Sequence, residues 1–487
     1  MIKSRLSITG AILLALIFIT SCGCESTPTG KPADSSSVEK PEDSGSKNEV
    51  EKPETQDDTV SEKPVPEDVV EEPTLVESLN ELSDVEDTGK ALALLEDADE
   101  LTLEENILKA VLMISEGQFV KAREELDLLL EENPGNSDIL YNQAILENAE
   151  GHFPQRDKIV SDILKSDPDH EGALLMKGTV DLAAKRYEDA NKSFLRILKK
   201  NPDNFMALSG GGSAQMNMDK LESAIKLLDM AIKLEPEFAY LYVDRARAWK
   251  GLKNYGKSED DYGRAIELEP NVEWHYLDRS RIRIQYFHNL EGAWEDLETL
   301  ESLNPDNLFA NIYKAGILDE WERYDEAEIY YEKVLAARPN YGYAHEPLAK
   351  YAYMNGDFVK AKNHFLLSYQ FDDRDPLFAL AAALCMEKTG DRKKAESLLK
   401  EVAPRVIRDS VEYEMFRYYL QPGSNFFITD KIAKESNEDL RSRMYFYLGA
   451  RDDLNGLRKT ALASYEMVED STGFFESDLA AWERNNP

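Results

Sequence analysis

Four aromatic residues recur at near-constant spacing: Tyr240, Trp274, Phe309 and Tyr343, separated by 34, 35 and 34 residues. Three positions after them stand Val243, Leu277, Ile312 and Glu346; seven positions after them stand Arg247, Arg281, Gly316 and Lys350. On an α-helix, residues three and seven apart share one face, so each set forms a short stripe; at Tyr240 and Trp274 it is ring, apolar residue and cation, while Gly316 supplies no cation in the third and Glu346 stands at the middle of the fourth. Aromatic rings and arginine are the side chains most enriched at binding hot spots. In an otherwise acidic chain, such a row suits a peptide with apolar and acidic side chains. The alternative is that the rings pack between neighbouring helices and never reach a ligand.

Reactive chemistry is not indicated. Gly210-Gly211-Gly212 is followed by no Gly-Lys-Ser/Thr, so close helix packing explains it better than a phosphate loop. His152, His170, His275, His288, His345 and His364 show no His-Glu-x-x-His spacing, and no Gly-x-Ser-x-Gly elbow occurs. His345 and Glu346 are adjacent on the candidate stripe, but adjacent helical residues point in different directions. Paired acids such as Glu131-Glu132 and Asp260-Asp261 read as solvated faces. No catalytic residue, metal site or cofactor is expected, and the chain is read as a non-enzyme. Three cysteines rule out a disulfide scaffold, and Cys385 reads as a buried inert thiol.

The elements that would position the stripes follow from a strict period. Prolines stand at 134, 168, 202, 236, 270, 305 and 339, at intervals of 34, 34, 34, 34, 35 and 34. One column of small residues runs Ala110, Ala144, Gly178, Gly212, Ala246, Ser280, Ala315, Ala349 and Ala383. A second runs Ala122, Arg156, Ala190, Ala224, Ser258, Ala293, Ala327, Ala361 and Ala395. The columns lie 12 apart except between Ser280 and Ala293, where the gap is 13, placing the extra residue in 281–292. The period, with Gly178, Tyr187, Ala190, Phe194 and Pro202 in the clearest copy, resembles the tetratricopeptide repeat, a helix-turn-helix of about 34 residues.

That resemblance implies an all-α superhelical solenoid of nine tetratricopeptide repeats over 103–408. Small residues let helices approach, a ring four positions later (Phe194, Tyr262, Tyr331, Phe365) fills the gap, and proline stops the second helix. Each unit is then expected to touch only its neighbours. Residues 79–102 are expected to cap the front, and 409–487 to hold degenerate repeats and a capping helix near 477–485. A further copy is expected at Gly449, Ala461 and Tyr465. Arg245 and Arg279, with Asp261 and Asp296 at matching places on the second helices, read as ion pairs within repeats. In this family first helices line the concave face, which places the row Tyr240, Val243, Arg247, Trp274, Leu277, Arg281, Phe309, Ile312, Tyr343 and Lys350 there as candidate partner-binding residues. The carboxylate clamp of chaperone-binding members is not implied, because Thr179, Ser213, Arg247 and Arg281 replace its asparagine.

The chain has 487 residues, with 57 basic and 94 acidic, for a net charge of −37, which argues against nucleic-acid binding. Residues 25–100 carry 24 acids and 6 bases. Lys3 and Arg5 precede an apolar run from Ile8 to Ile19, too short to span a membrane but long enough for a secretory core. Ile19-Thr20-Ser21-Cys22 resembles a bacterial lipobox, implying a signal peptide over 1–21 and lipidation at Cys22. Gly23, in place of Asp, favours the outer membrane, periplasmic side. Residues 22–78 form a Pro/Ser/Glu-rich acidic segment without rings, read as a disordered tether. The expected function is a membrane-anchored, cell-envelope scaffold or adaptor with a protein or peptide partner. The alternative is a small-molecule receptor or transporter accessory with a pocket inside the superhelix.

Overall fold

The structure is a computed structural model that describes residues 88–421, 425–469 and 473–486. The signal segment, Cys22, the tether and residues 79–87 of the front cap lie outside the described residues. Among the described residues there is no strand, and no helix is long and apolar enough to cross a membrane. The chain divides into two compact units, Met1–Ala248 and Trp249–Pro487.

In the first unit, α1 (Thr88–Glu96) precedes the pairs α2 (Leu103–Ser115) and α3 (Phe119–Glu132), α4 (Ser137–Ala149) and α5 (Phe153–Ser166), α6 (Glu171–Ala183) and α7 (Tyr187–Lys200), and α8 (Phe205–Asn217) and α9 (Leu221–Leu234). Helix α10 (Ala239–Gly251) straddles the division. The second unit continues with α11 (Tyr255–Leu268), α12 (Glu273–Ile282), α13 (Leu290–Leu303), α14 (Leu308–Glu320), α15 (Tyr324–Ala337), α16 (His345–Met354), α17 (Phe358–Phe371), α18 (Leu377–Lys388) and α19 (Arg392–Val402). Its last part holds α20 (Val411–Leu420), α21 (Asn425–Ala433), α22 (Glu438–Leu454), α23 (Arg458–Tyr465) and α24 (Phe475–Asn485). The all-α repeat array implied by the sequence columns is thus present.

Each turn in the array has a local cause. Second helices end two residues before the phased prolines, as at Glu132 and Lys200, because proline offers no N–H to continue the ladder. Three of the first helices then start on an asparagine cap, and α6 starts on His170. The side chains of Asn136, Asn204 and Asn307 each accept a backbone N–H of the helix they open. First helices end in a left-handed residue closed by a six-residue backbone bond, as in His152 N–H to Glu147 O at 2.7 Å. The left-handed position falls on Gly117, Gly151, Gly356 and Gly390, but also on Lys185, Asp219, Lys253 and Glu322.

The extra residue is absorbed as a π-helical stretch over Arg283–Phe287, closed by left-handed His288. A single wide turn takes up one residue without disturbing the helices on either side. Tyr286, carried outward by it, stacks on Tyr255 at 3.6 Å and 9°.

All residues of both small-residue columns are buried. Phe194 shows why. Its ring lies against two glycines: a Cβ built on Gly178 or Gly210 would fall 2.8 or 2.4 Å from it. Leu228 lies as close to Gly212, at 2.8 Å. The glycine run is therefore a helix-packing surface. Gly449 repeats the arrangement on α22, 2.8 Å from the Tyr465 ring of α23, so this pair packs like a repeat. Arg156, in the small-residue column, extends to Asn148 and lies over Phe153 at 5.0 Å. Nearby, a cavity of about 440 Å³ opens between α5 and α6, where Lys177 pairs with Asp181.

The expectation that every unit touches only its neighbours needs correction in the second unit. Helix α24 packs on α16, more than a hundred residues earlier in the chain, as well as on α22 and α23. Its Phe475 reaches Phe365 and Phe378 at 4.9 and 5.8 Å. It covers the last pair, α22 and α23, and also clasps back onto α16 and α17.

Two substitutions of one type should have opposite signs. Gly210→Ala should lower the urea midpoint by an amount worth about 1–3 kcal/mol, since the clamped Phe194 ring cannot yield. Gly316→Ala, where a Cβ meets nothing within 4 Å, should raise stability by about 0.5–1 kcal/mol. Lys253→Gly should likewise stabilise, by about 1 kcal/mol, by relieving a left-handed lysine at φ 59°.

Candidate functional site

In the first unit, Tyr240 lies on the second residue of α10, 40 % exposed. Val243, one turn on, is buried, so at this repeat the stripe turns into core. Arg247 is exposed, with its guanidinium 3.7 Å from the Asp244 carboxylate. Asp244 itself is fully buried and accepts the Ser213 hydroxyl of α8. Burial raises its pKa, partly offset by that hydrogen bond and by Arg247.

In the second unit, Trp274, Phe309 and Tyr343 are 53, 44 and 70 % exposed. Trp274 and Phe309 stand on the first helices α12 and α14, and Tyr343 in the short turn of Gly342–Ala344 before α16; large rings left this open in successive repeats are unusual for residues that serve only as core. Leu277 is buried among Tyr276, Leu290 and Ala293, so it packs inside rather than facing a partner. Ile312 is half-buried. Arg281 is partly exposed, 3.6 Å from Asp278 on its own helix. Its Nε is buried and has no hydrogen-bond partner.

Lys350 must be corrected as a partner-binding residue. It is buried, and its Nζ lies 2.9 Å from Asp319 of α14 and 2.8 Å from Asp478 of α24. Both carboxylates raise its pKa against the opposing effect of burial, which is the largest. Its place on the first-helix face is filled by the protein's own C-terminal helix.

The residues of α24 that meet this face were not recognised as a set in the sequence. Trp482 packs edge-on against Tyr353 at 5.9 Å. Glu483 accepts the Tyr353 hydroxyl at 2.6 Å and sits 2.7 Å from Lys388 of α18. Glu476, wholly buried, accepts Arg443 of α22 at 2.9 Å and the Tyr447 hydroxyl at 3.0 Å. Rings and carboxylates on one helix thus meet rings and cations on the first helices α16, α18 and α22. The sequence marks a helix near 477–485 but not what it meets, because its partners lie about 30 to 130 residues away.

The ion pair read within the repeat is present at Arg279. Arg279 grips Asp296 at 2.6 and 3.1 Å, joined by Arg283 of the π turn at 3.0 Å. Arg245 reaches Asp229 of α9 at 2.7 Å, in the preceding pair. Glu147, Glu150 and His152 gather within reach of one point. Arg123 already lies against both carboxylates, so the cluster balances as an ion-pair network. Cys385 is buried and free, and burial pushes its thiol up, out of reach of reaction.

His345 and Glu346 do diverge. His345 turns to His364 of α17, Nδ1 to Nδ1 at 3.1 Å, while Glu346 faces an adjoining pocket.

Residues 314–341 match the tetratricopeptide repeat family model. The match covers most of α14 and α15, the pair that carries Phe309 and Ile312 at its front. Solved structures with such repeats align over part of the chain. PilF of Pseudomonas aeruginosa is 18% identical, covering 44% of this chain and 97% of its own, with a TM-score of 0.40. YrrB, described as a tetratricopeptide repeat protein with an unusual peptide-binding site, is 17% identical over 39% and 97%, with a TM-score of 0.35. MamA is 20% identical over 34% and 90%, with a TM-score of 0.32.

The histidine pair makes the second unit acid-sensitive. Burial first, then His345 and Lys360, lower His364 to about 4, with Glu332 and Glu328 opposing. An unfolded histidine titrates near about 6.5. Between these values the unfolded chain binds the proton that the folded one refuses, so stability falls as pH drops from about 6.5 towards 4. His364→Gln should flatten this fall, read as the difference in thermal midpoint between pH 7 and pH 5.

Proposed function

We propose that the chain is a membrane-anchored protein–protein adaptor of the bacterial cell envelope that binds an amphipathic, acidic peptide or helix on its first-helix face. The observation that carries this reading is α24. A helix bearing Phe475, Leu479 and Trp482 beside Glu476, Asp478 and Glu483 already docks in cis on first helices, its acids meeting Arg443, Lys350 and Lys388. Helix-in-groove recognition through spaced apolar anchors is a recurrent mode of peptide binding. In the same unit Trp274 and Phe309 present exposed rings on α12 and α14, with Arg281 seven residues after Trp274. A partner helix of the same chemistry would find there what α24 finds farther along. In the first unit, Tyr240 and Arg247 offer the same pairing.

Anchoring is proposed from residues alone: the apolar run to Ile19, and Cys22 after Thr20 and Ser21. A lipid at Cys22, followed by the acidic segment to residue 78, would hold the repeats near a membrane while leaving them free to search. The outer membrane, periplasmic side, is the proposed location.

The binding half is tested by in-cell crosslinking and recovery of partners with Trp274→Ala/Arg281→Ala. Loss of a hot-spot pair of this kind costs about 2 kcal/mol or more, so recovery should fall at least about thirtyfold with helicity unchanged. Val120→Ala, at another exposed apolar residue, should leave recovery intact. Unchanged recovery in the double variant would remove the first-helix face from the reading. For the anchor, Cys22→Ser should move the protein from the detergent phase to the aqueous phase.

A further inference from the structure

A cavity of about 400 Å³ opens in the second unit where the short turn before α16, the end of α17, the start of α18, and α22 converge. Its apolar walls are Tyr343, Phe371, Phe378 and Phe474, the last already covered by the Arg443 guanidinium at 4.6 Å, and its charged groups include Glu346, Asp375 and Arg443. Tyr343 meets Phe371 edge to face at 5.0 Å, and both rings stay at least half exposed. Phe371 reaches this position only because residue 342 is glycine: a Cβ there would lie 1.9 Å from the ring.

The charges do not balance. Arg443 is held between two carboxylates, Asp375 at 3.0 Å and Glu476 at 2.9 Å. The pocket's other cation, Arg374, is tied to Asp372 at 2.7 Å, and Lys350 on the same helix as Glu346 is taken by Asp319 and Asp478. Glu346 has no ion-pair partner among the described residues. Burial first, and then the charges of Glu476 and Asp375, push it up to about 7 against the weaker pull of Arg443 and Lys350. A carboxylate without an ion partner, in a cavity walled by rings and carrying surplus negative charge, repels anions. A neutral apolar guest would bury the carboxylate further without compensation. An alkylammonium group satisfies both features, through the quadrupole of the rings and through the carboxylate.

We propose that this pocket binds an organic cation, an alkylammonium group, borne either by a free amine or by a lysine side chain of a partner. The site shares Tyr343 with the row of exposed rings but uses none of Trp274, Phe309 or Arg281, so substitutions at those three test the adaptor reading and substitutions at Glu346 and Phe371 test this one.

Saturation-transfer NMR and calorimetry with tetramethylammonium and butylammonium, against sodium chloride at matched ionic strength, test it. Binding with a dissociation constant of about 1 mM or tighter is expected. The bound cation favours ionised Glu346, so affinity should rise severalfold from pH 6 to pH 8. Glu346→Gln should weaken binding about tenfold and abolish that rise. Phe371→Ala, at a half-exposed ring, should weaken it severalfold with the helical circular dichroism unchanged. A short capped lysine peptide and its Nε-acetylated form separate the sources. Tighter binding of the unmodified peptide than of butylammonium assigns the partner's side chain, and the reverse order assigns a free amine. No transfer to either ammonium probe, or binding that is flat with pH and indifferent to Glu346→Gln, overturns the proposal.

Discussion

Everything in this fold depends on how closely two helices can approach. At each repeat a small residue on the first helix and another on the second remove the side chain that would hold the backbones apart, and all of these positions are buried. The space they leave is filled by one large group, such as Phe194 wedged against Gly178 and Gly210, or Tyr465 against Gly449. Packing at interior density then follows without a large central core. Where the rule is relaxed, at Arg156, the arginine is housed by Asn148 and Phe153, and a cavity lies in the adjoining helix interface.

This constraint explains what the sequence discloses. Period and pair boundaries are local: the prolines and the small residues act within a few positions and recur in columns of like residues, whereas the cap and left-handed positions change residue type from copy to copy. The one irregular gap, 13 residues between Ser280 and Ala293, is local too and becomes the π turn over Arg283–Phe287. The candidate surface is only half legible for the same reason. Ring positions such as Trp274 emerge exposed, yet Val243 and Leu277, three residues on, are taken into the packing between helices. Lys350 looked available because its partner, Asp478, lies 128 residues away on an element outside the repeat phase.

The C-terminal helix α24 also gives meaning to the charge. In a strongly acidic chain, a few cations on first helices are kept in low-exposure positions and matched by carboxylates of α24, as in Lys388 with Glu483 and Arg443 with Glu476. Buried pairs of this kind add little net stability, but a misplaced register would strand a charge, so they fix where the helix sits. The same chemistry, left unmatched at Glu346, is what makes the neighbouring pocket selective in sign.

The contact between α16 and α24 also changes how the two halves come apart. Among the described residues of the first unit each helix pair packs chiefly on the pairs beside it, so amide hydrogen exchange should show a gradient, with fraying that advances from an end. In the second, a loop of more than a hundred residues is closed by the clasp, and opening any pair inside it breaks a ring rather than shortening a row. Such closure raises contact order and couples distant pairs into one melting transition, slower to form and harder to nibble. One chain thereby joins a zipper to a buckle.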